Sequence, residues 1–296
     1  MATDTAQLEV VPSGKALGAD VGGIDLNDPL SDEAFQEILE AWYRHLVLRF
    51  RRQSISDDTL TAFAFRFGQL HHAAGSEYGG KPDGLHPAVE LISNIVEDGR
   101  PIGALGAGEA TWHSDMSMFE VPATATLLYG DEIPPSGGNT FFTNLYLAYE
   151  TLAEDLQRLV ERRRSLHDAA YLATGGVRPG YDAVSDKSRG PGARHPIVRV
   201  HPCTGRKALY LGRKGFGYIE GLSVEESDAA LAALWAHMTR PEFVWEQEWQ
   251  AGDLIVWDNR CVAHARGAFD PAARRLLRRV TVMDAEEREG AAEDHT

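Results

Sequence analysis

Two imidazoles and a carboxylate, a close pair at His113 and Asp115 and a third residue far downstream at His264, constrain this chain more than any other feature. Such a trio on one face of a divalent metal leaves the opposite face open, the arrangement of a non-haem Fe(II) oxygenase site. On an extended strand residues i and i+2 point to one side and i+1 to the other. His113 and Asp115 are therefore expected to reach one metal while Ser114 points away, and the remaining ligand must arrive from a distant segment. A sheet that closes on itself can do this.

Composition excludes several classes of protein. With 296 residues, 43% of them hydrophobic, the chain can fill one sizeable core, and nothing in it demands a second domain, so residues 1–296 read as a single unit. A formal net charge of -15 disfavours nucleic acid and anionic membranes, both of which attract basic surfaces. The two cysteines, Cys203 and Cys261, have no metal-ligand spacing, which argues against a disulfide scaffold or structural zinc. The first residues lack a basic segment followed by an apolar run, and no stretch is long enough to span a bilayer, so a cytoplasmic protein is expected.

Periodicity divides the chain into short elements. Phe35, Ile38, Leu39 and Trp42 mark an amphipathic helix capped by Ser31 or Asp32, and Leu46 to Phe50 reads as a strand. A second helix from about Ser56 carries Leu60, Phe63, Ala64 and Phe67 and is expected to stop at Gly68. Val89 to Asn94 is a predicted strand, and the glycine-rich stretch from Gly103 to Ala110 reads as a loop bordering the His/Asp pair, either a substrate lid or a plain connector. Further strands are predicted at Thr124 to Asp131, Thr140 to Thr143, Ile197 to His201, Lys207 to Leu211, Phe243 to Trp249, Leu254 to Trp257 and Leu276 to Met283. Helices are predicted at Leu145 to Leu152, Glu154 to Arg164 and Ser223 to Thr239, with the longest loop from Thr174 to Arg194. The pattern is mainly β with flanking helices around a double-stranded β-helix, or jelly-roll, core.

The motifs Arg66-Phe67-Gly68, Trp112-His113-Ser114-Asp115, Pro135-Ser136-Gly137-Gly138-Asn139-Thr140, His195-Pro196 through His201-Pro202 and Trp257-Asp258-Asn259-Arg260 occur in one order along the chain. In that order the chain resembles the TauD/TfdA family of Fe(II)- and 2-oxoglutarate-dependent dioxygenases over nearly its whole length. The resemblance implies iron ligands at His113, Asp115 and His264, with 2-oxoglutarate and dioxygen as co-substrates. Asp115 also distinguishes the chain from related halogenases, which have a small residue there, and so favours oxygen transfer.

The distal carboxylate of 2-oxoglutarate would be stranded in an apolar barrel without a cation, and an arginine fork can meet it bidentately. Strand alternation puts Arg275 and Arg279 on one face and Arg274 and Arg278 on the other, without saying which faces inward. By its distance from His264, the resemblance implies Arg275 for that carboxylate, with the Thr140 hydroxyl beside it, and Arg279 for an anionic group of the primary substrate. That substrate is then a small organic anion such as a sulfonate, alkyl sulfate or aryloxy carboxylate. The alternatives are a biosynthetic hydroxylation or desaturation of an amino-acid derivative, and a non-catalytic jelly-roll binding module. Taurine-type enzymes place a histidine where Ala73 aligns, leaving His72 as the adjacent candidate. Phe119, Phe142 and Phe216 are candidates for an aromatic or alkyl pocket, each equally readable as plain core. Relatives are often dimers or tetramers, so a homo-oligomer is expected.

Overall fold

The computed structural model describes residues 8–72 and 84–283. An eight-stranded sheet runs in the order Glu9–Pro12, Ala19–Gly22, Val47–Phe50, Leu254–Asp258, Ala123–Glu132, Leu276–Met283, Val89–Ser93 and Ala104–Leu105. A four-stranded sheet faces it in the order Val244–Gln247, Thr140–Asn144, Val262–Arg266 and Ala110–His113. The strands Ala110–His113, Ala123–Glu132 and Thr140–Asn144 alternate between the two sheets, as do Val244–Gln247, Leu254–Asp258, Val262–Arg266 and Leu276–Met283, and this alternation makes the jelly roll.

Register decides which side chains meet between the sheets. In the smaller sheet Thr140 lies opposite Arg266, Phe142 opposite His264, and His264 opposite His113, so all five share one face. In the larger sheet Arg279 lies opposite Leu128 and Glu90, and Thr126 opposite Trp257. Phe142, Trp245, Trp257, Ile255 and Leu277 fill the space between the two sheets. The other face of the larger sheet, with Leu48, Phe50, Val256 and Val280, is covered by two helices, Asp32–His45 and Asp57–Phe65.

Those helices form where the periodicity places them. Ser31 accepts from Ala34 N and Ser56 from Thr59 N, so each first turn has one of its orphan donors satisfied. Ile38, Trp42, Leu60 and Phe63 are buried against the sheet, each contributing about 1.5–3 kcal/mol. The helix Val224–Met238 begins at Ser223 with a complete capping box, Ser223 and Glu226 each bonding the other's backbone N–H.

Several sequence-based boundaries shift. The second helix ends at Phe65, not at Gly68. Gly68 has φ +143°, and a Cβ there would stand 3.0 Å from Val282 Cγ1, so its backbone conformation and its close approach to the sheet, not a helix cap, favour the glycine. The helix expected to reach Arg164 ends at Val160, and Arg164–Leu166 is a strand. The Gly103 to Ala110 segment is partly pinned: Ala104 and Leu105 pair in parallel with Ile92 and Ser93. A Cβ on Gly103 would lie 2.6 Å from Leu91 O, which fixes glycine at that crossing.

Candidate active site

His113 ends its strand, and Asp115 sits just beyond it in a turn where Met116 adopts a left-handed backbone with φ 54°. The expected i, i+2 geometry on a continuous strand is therefore replaced by a strand end and turn. The outcome for the side chains is the same: His113, Asp115 and His264 bring their ligand atoms within 4.8 Å of one another. Asp115 Oδ1 lies 3.6 Å from His113 Nε2 and 3.8 Å from His264 Nε2. Ser114 turns away and donates to Val262 O.

Each ligand is oriented from behind. His113 Nδ1 donates to Thr111 O at 2.7 Å, which leaves the Nε2 lone pair facing the cluster. Thr126 Oγ1 donates to Asp115 Oδ2 and itself accepts from Asn259 Nδ2, so Oδ1 alone points at the imidazoles. Asn259 Oδ1 accepts from both Asp115 N and Trp257 Nε1, locking the carboxylate to the hairpin that carries His264. Phe142 and Trp257 pack against the His264 ring.

Electrostatics suit a cation. Burial opposes ionisation of Asp115, but the His264 and His113 rings and the Arg279 guanidinium outweigh it and hold the carboxyl well below its usual range. Burial first, and the adjacent His113 ring second, push His264 down to about 3. A charged carboxylate and a neutral imidazole are the protonation states that metal coordination needs.

The arginines settle the alternation. Arg274 is paired with Glu132, and Arg278 with Asp131 and Asp57, on the outer face. Arg275 and Arg279 reach the cavity that His113, Asp115 and His264 line. Arg275 is 2% exposed; its Nη2 donates to Gly138 O, while Nε and Nη1 are buried with no partner. Burial, and then the nearby Arg266 charge, pulls Arg275 down to about 9. Thr140 Oγ1 accepts from Trp249 Nε1, which leaves its own hydrogen available for an anion. Arg279 is more committed than the sequence suggested. Its Nε and Nη2 both donate to Glu90 Oε2, and its Nη1 stands 3.7 Å from Asp115 Oδ1.

Three other candidates lie away from this cavity. Phe142 is fully buried between Trp245 and Trp257, so it supports His264 as core and lines no open space. Phe216 stacks on Tyr171 and borders a groove of about 500 Å³ on the outer face of the smaller sheet, together with Trp112 and Phe141. Phe119 is 43% exposed. His72 is exposed at the edge of the described residues, and Ala73 lies outside them. Sequence reasoning missed Arg266 and Glu90 in the cavity wall or beside it, and Thr126 behind Asp115. Arg266 carried a usable signal, because it stands two residues beyond His264 on one strand and so shares its face.

Two imidazoles and one carboxylate facing an open side, inside a jelly roll with buried arginines beyond them, define a non-haem metal-dependent oxygenase. The chain belongs to the taurine catabolism dioxygenase TauD, TfdA family, whose model matches residues 9–281. It is accordingly an Fe(II)- and 2-oxoglutarate-dependent dioxygenase. It is 37% identical to pentalenolactone F synthase of Streptomyces avermitilis, over 92% of this chain and 92% of that protein. It is 36% identical to the alpha-ketoglutarate-dependent 2,4-dichlorophenoxyacetate dioxygenase of Cupriavidus pinatubonensis, over 92% of this chain and 96% of that one. Among solved structures it is similar to AAD-2 in complex with Mn(II) and N-oxalylglycine, with a TM-score of 0.76 at 30% identity, covering 95% of this chain and 98% of that one. Among the described residues no helix is long and apolar enough to cross a membrane.

Proposed function

We propose that the enzyme hydroxylates a small organic acid at a carbon held over the His113, Asp115 and His264 cluster. The observation that carries this reading is the coexistence in one cavity of that cluster with Arg275, a buried guanidinium whose Nε and Nη1 have no partner. His113 and His264 would hold iron through Nε2 and Asp115 through Oδ1. Arg275 and the Thr140 hydroxyl would take the distal carboxylate of 2-oxoglutarate. Charge-assisted hydrogen bonds of that kind contribute roughly 1.5–3 kcal/mol each. Held there, iron would activate dioxygen, the oxidant, while 2-oxoglutarate would give two electrons and leave as succinate and carbon dioxide, so that one oxygen atom ends in the substrate C–H bond and the other in succinate.

The chain's own residues do the remaining work. Thr126 and Asn259 fix the carboxylate, and Thr111 fixes the tautomer of His113. Ile92, Leu105, Leu128 and Trp257 form an apolar wall that excludes water from the reacting carbon. Arg279, whose Nη1 stands 3.7 Å from Asp115 Oδ1, meets the acid group of the substrate, with Glu90 moderating its charge.

The apolar wall favours a substrate with an apolar body, and of the two relatives named above one is named for a phenoxyacetate it acts on and the other for the synthesis of pentalenolactone F. A biosynthetic oxidation of an apolar-bodied acid is therefore the second reading. Oxygen uptake with Fe(II) and 2-oxoglutarate, measured across aryloxy acids, terpenoid acids, alkyl sulfates, sulfonates and amino acids, separates the two. One panel member is expected to stimulate succinate formation in step with oxygen consumption, and the His113→Ala variant to lose it. A protein that binds neither Mn(II) nor 2-oxoglutarate would overturn the assignment.

A further inference from the structure

We propose that Arg266 is part of the 2-oxoglutarate subsite, sharing the distal carboxylate with Arg275; this rests on the role given above to Arg275 and Thr140. Register brings the three residues together. Arg266 is the direct cross-strand partner of Thr140, and the Arg275 fork is tied to Gly138 O, two residues before Thr140 on the same approach. The two guanidinium carbons lie 5.7 and 5.6 Å from the centre of the one Phe269 ring. Both arginines line the cavity of the metal cluster.

The hydrogen bonding of the two side chains is parallel and incomplete. Arg266 is 7% exposed, and its Nη2 is held by the carbonyls of Leu105 and Gly108. As in Arg275, its Nε and Nη1 are buried with no partner. Neither arginine forms an ion pair with any described carboxylate. Two adjacent buried cations with four unmatched nitrogens are a costly arrangement in the empty protein. A carboxylate offers two oxygens with about four acceptor positions and one negative charge, enough to engage both forks.

A purely structural role accounts for only part of this. Pinning the Leu105 to Gly108 segment uses one nitrogen of Arg266, and leaves the other two pointing into space that a neutral side chain would fill at lower cost. Service to the primary substrate is the less economical reading, because Arg279 already stands at the cluster while Arg266 sits beside Thr140 and Arg275. Arg266 also borders the outer groove that Trp112 and Phe141 line, so an anion bound there is a distinct outcome of the test.

The test is anaerobic calorimetric titration of Mn(II)-loaded protein with 2-oxoglutarate and with pyruvate, a keto acid lacking the distal carboxylate. Arg266→Gln is expected to weaken 2-oxoglutarate at least tenfold and leave pyruvate unchanged, with Arg266→Lys in between. The thermal midpoint of Arg266→Gln without keto acid should not fall, since a like charge beside Arg275 has been removed, and the upward shift on adding 2-oxoglutarate should shrink. Unchanged 2-oxoglutarate affinity in Arg266→Gln, with a loss in Arg275→Gln, overturns the proposal and leaves the keto-acid site standing; it would place the Arg266 ligand in the groove or nowhere. Unchanged affinity in both variants overturns the proposal together with the site assignment beneath it. Equal weakening of 2-oxoglutarate and pyruvate also overturns it, since that pattern reports collapse of the Leu105 to Gly108 segment.

Discussion

Thr126 Oγ1 stands 2.8 Å from Asp115 Oδ2, donating the one hydrogen bond that decides which oxygen of the carboxylate faces the two imidazoles. The threonine can donate there because Asn259 Nδ2 already occupies one of its acceptor positions. Thr126→Val keeps the shape and removes the hydroxyl, freeing Asp115 to rotate. Metal affinity should fall about 10- to 100-fold, the usual cost of losing a partner behind a ligand. Competition between the protein and a calibrated chelator for Mn(II) reads this directly, and an unchanged constant would show that packing alone orients Asp115.

Glu90 and Arg279 are cross-strand neighbours, and the pair occupies two of the three guanidinium nitrogens. Glu90→Gln should return positive charge to the cavity. For anionic substrates KM is expected to drop about two- to fivefold with kcat little changed, the size of a partly exposed charge pair. Steady-state kinetics at low and high salt check it, since the gain should shrink as salt screens the charge. A higher KM would mean that Glu90 serves to position Arg279.

Much of this site was legible before the fold was known, for a physical reason. A metal site needs particular donor atoms, and few residue types supply them, so His113, Asp115 and His264 were readable from type and order. The inward choice of Arg275 and Arg279 came only from the family resemblance, because alternation gives two faces without saying which is buried. Only the pairing of Arg278 with Asp131 and Asp57 on the helix-covered side resolves it. Phe142 and Phe216 show the converse limit. An aromatic carries no mark that separates pocket from core, and one proved to be a support for His264 while the other stacks on Tyr171. Likewise Arg266 shares the face of His264 on the strand Val262–Arg266, but a lone arginine two residues from a ligand carries no mark of what it faces.

Away from the cavity, Asp258 ties its own turn to the segment that carries His201. It accepts from both Nε and Nη2 of Arg260 and lies 2.9 Å from His201 Nε2, with all three residues buried. Burial opposes its ionisation, but Arg260 and His201 prevail and set it at about 2. The unfolded carboxyl titrates near ~3.9, so the folded value is depressed. The stabilisation is therefore fully present above about pH 4 and lost as pH falls through about 2, with a size of about 2 kcal/mol. Asp258→Asn should remove that acid-limb dependence and cost about 3–5 kcal/mol at neutral pH, because Arg260 is left buried and unpaired. Urea unfolding between pH 2 and pH 7 (a range set by those ~2 and ~4 endpoints) measures both, and a variant that keeps the wild-type slope would remove Asp258 from the account.

Gly138, two residues before Thr140, leaves room for Arg275. Gly138 has φ +68°, and a Cβ there would meet Arg275 Nε at 3.1 Å and the Phe269 ring at 3.3 Å. Gly138→Ala therefore carries two separable costs: a left-handed backbone, about 1–2 kcal/mol, and displacement of the fork proposed to receive 2-oxoglutarate. Gly14 is the control, since it has φ +74° and an added methyl there would meet nothing within 4 Å, so Gly14→Ala isolates the backbone cost. Both variants should lose similar thermal stability, but only Gly138→Ala should bind 2-oxoglutarate more weakly, by about tenfold, on the scale of one charge-assisted hydrogen bond. Equal 2-oxoglutarate affinity in the two variants would show that Arg275 tolerates the shift, and that the glycine is kept there for its backbone alone.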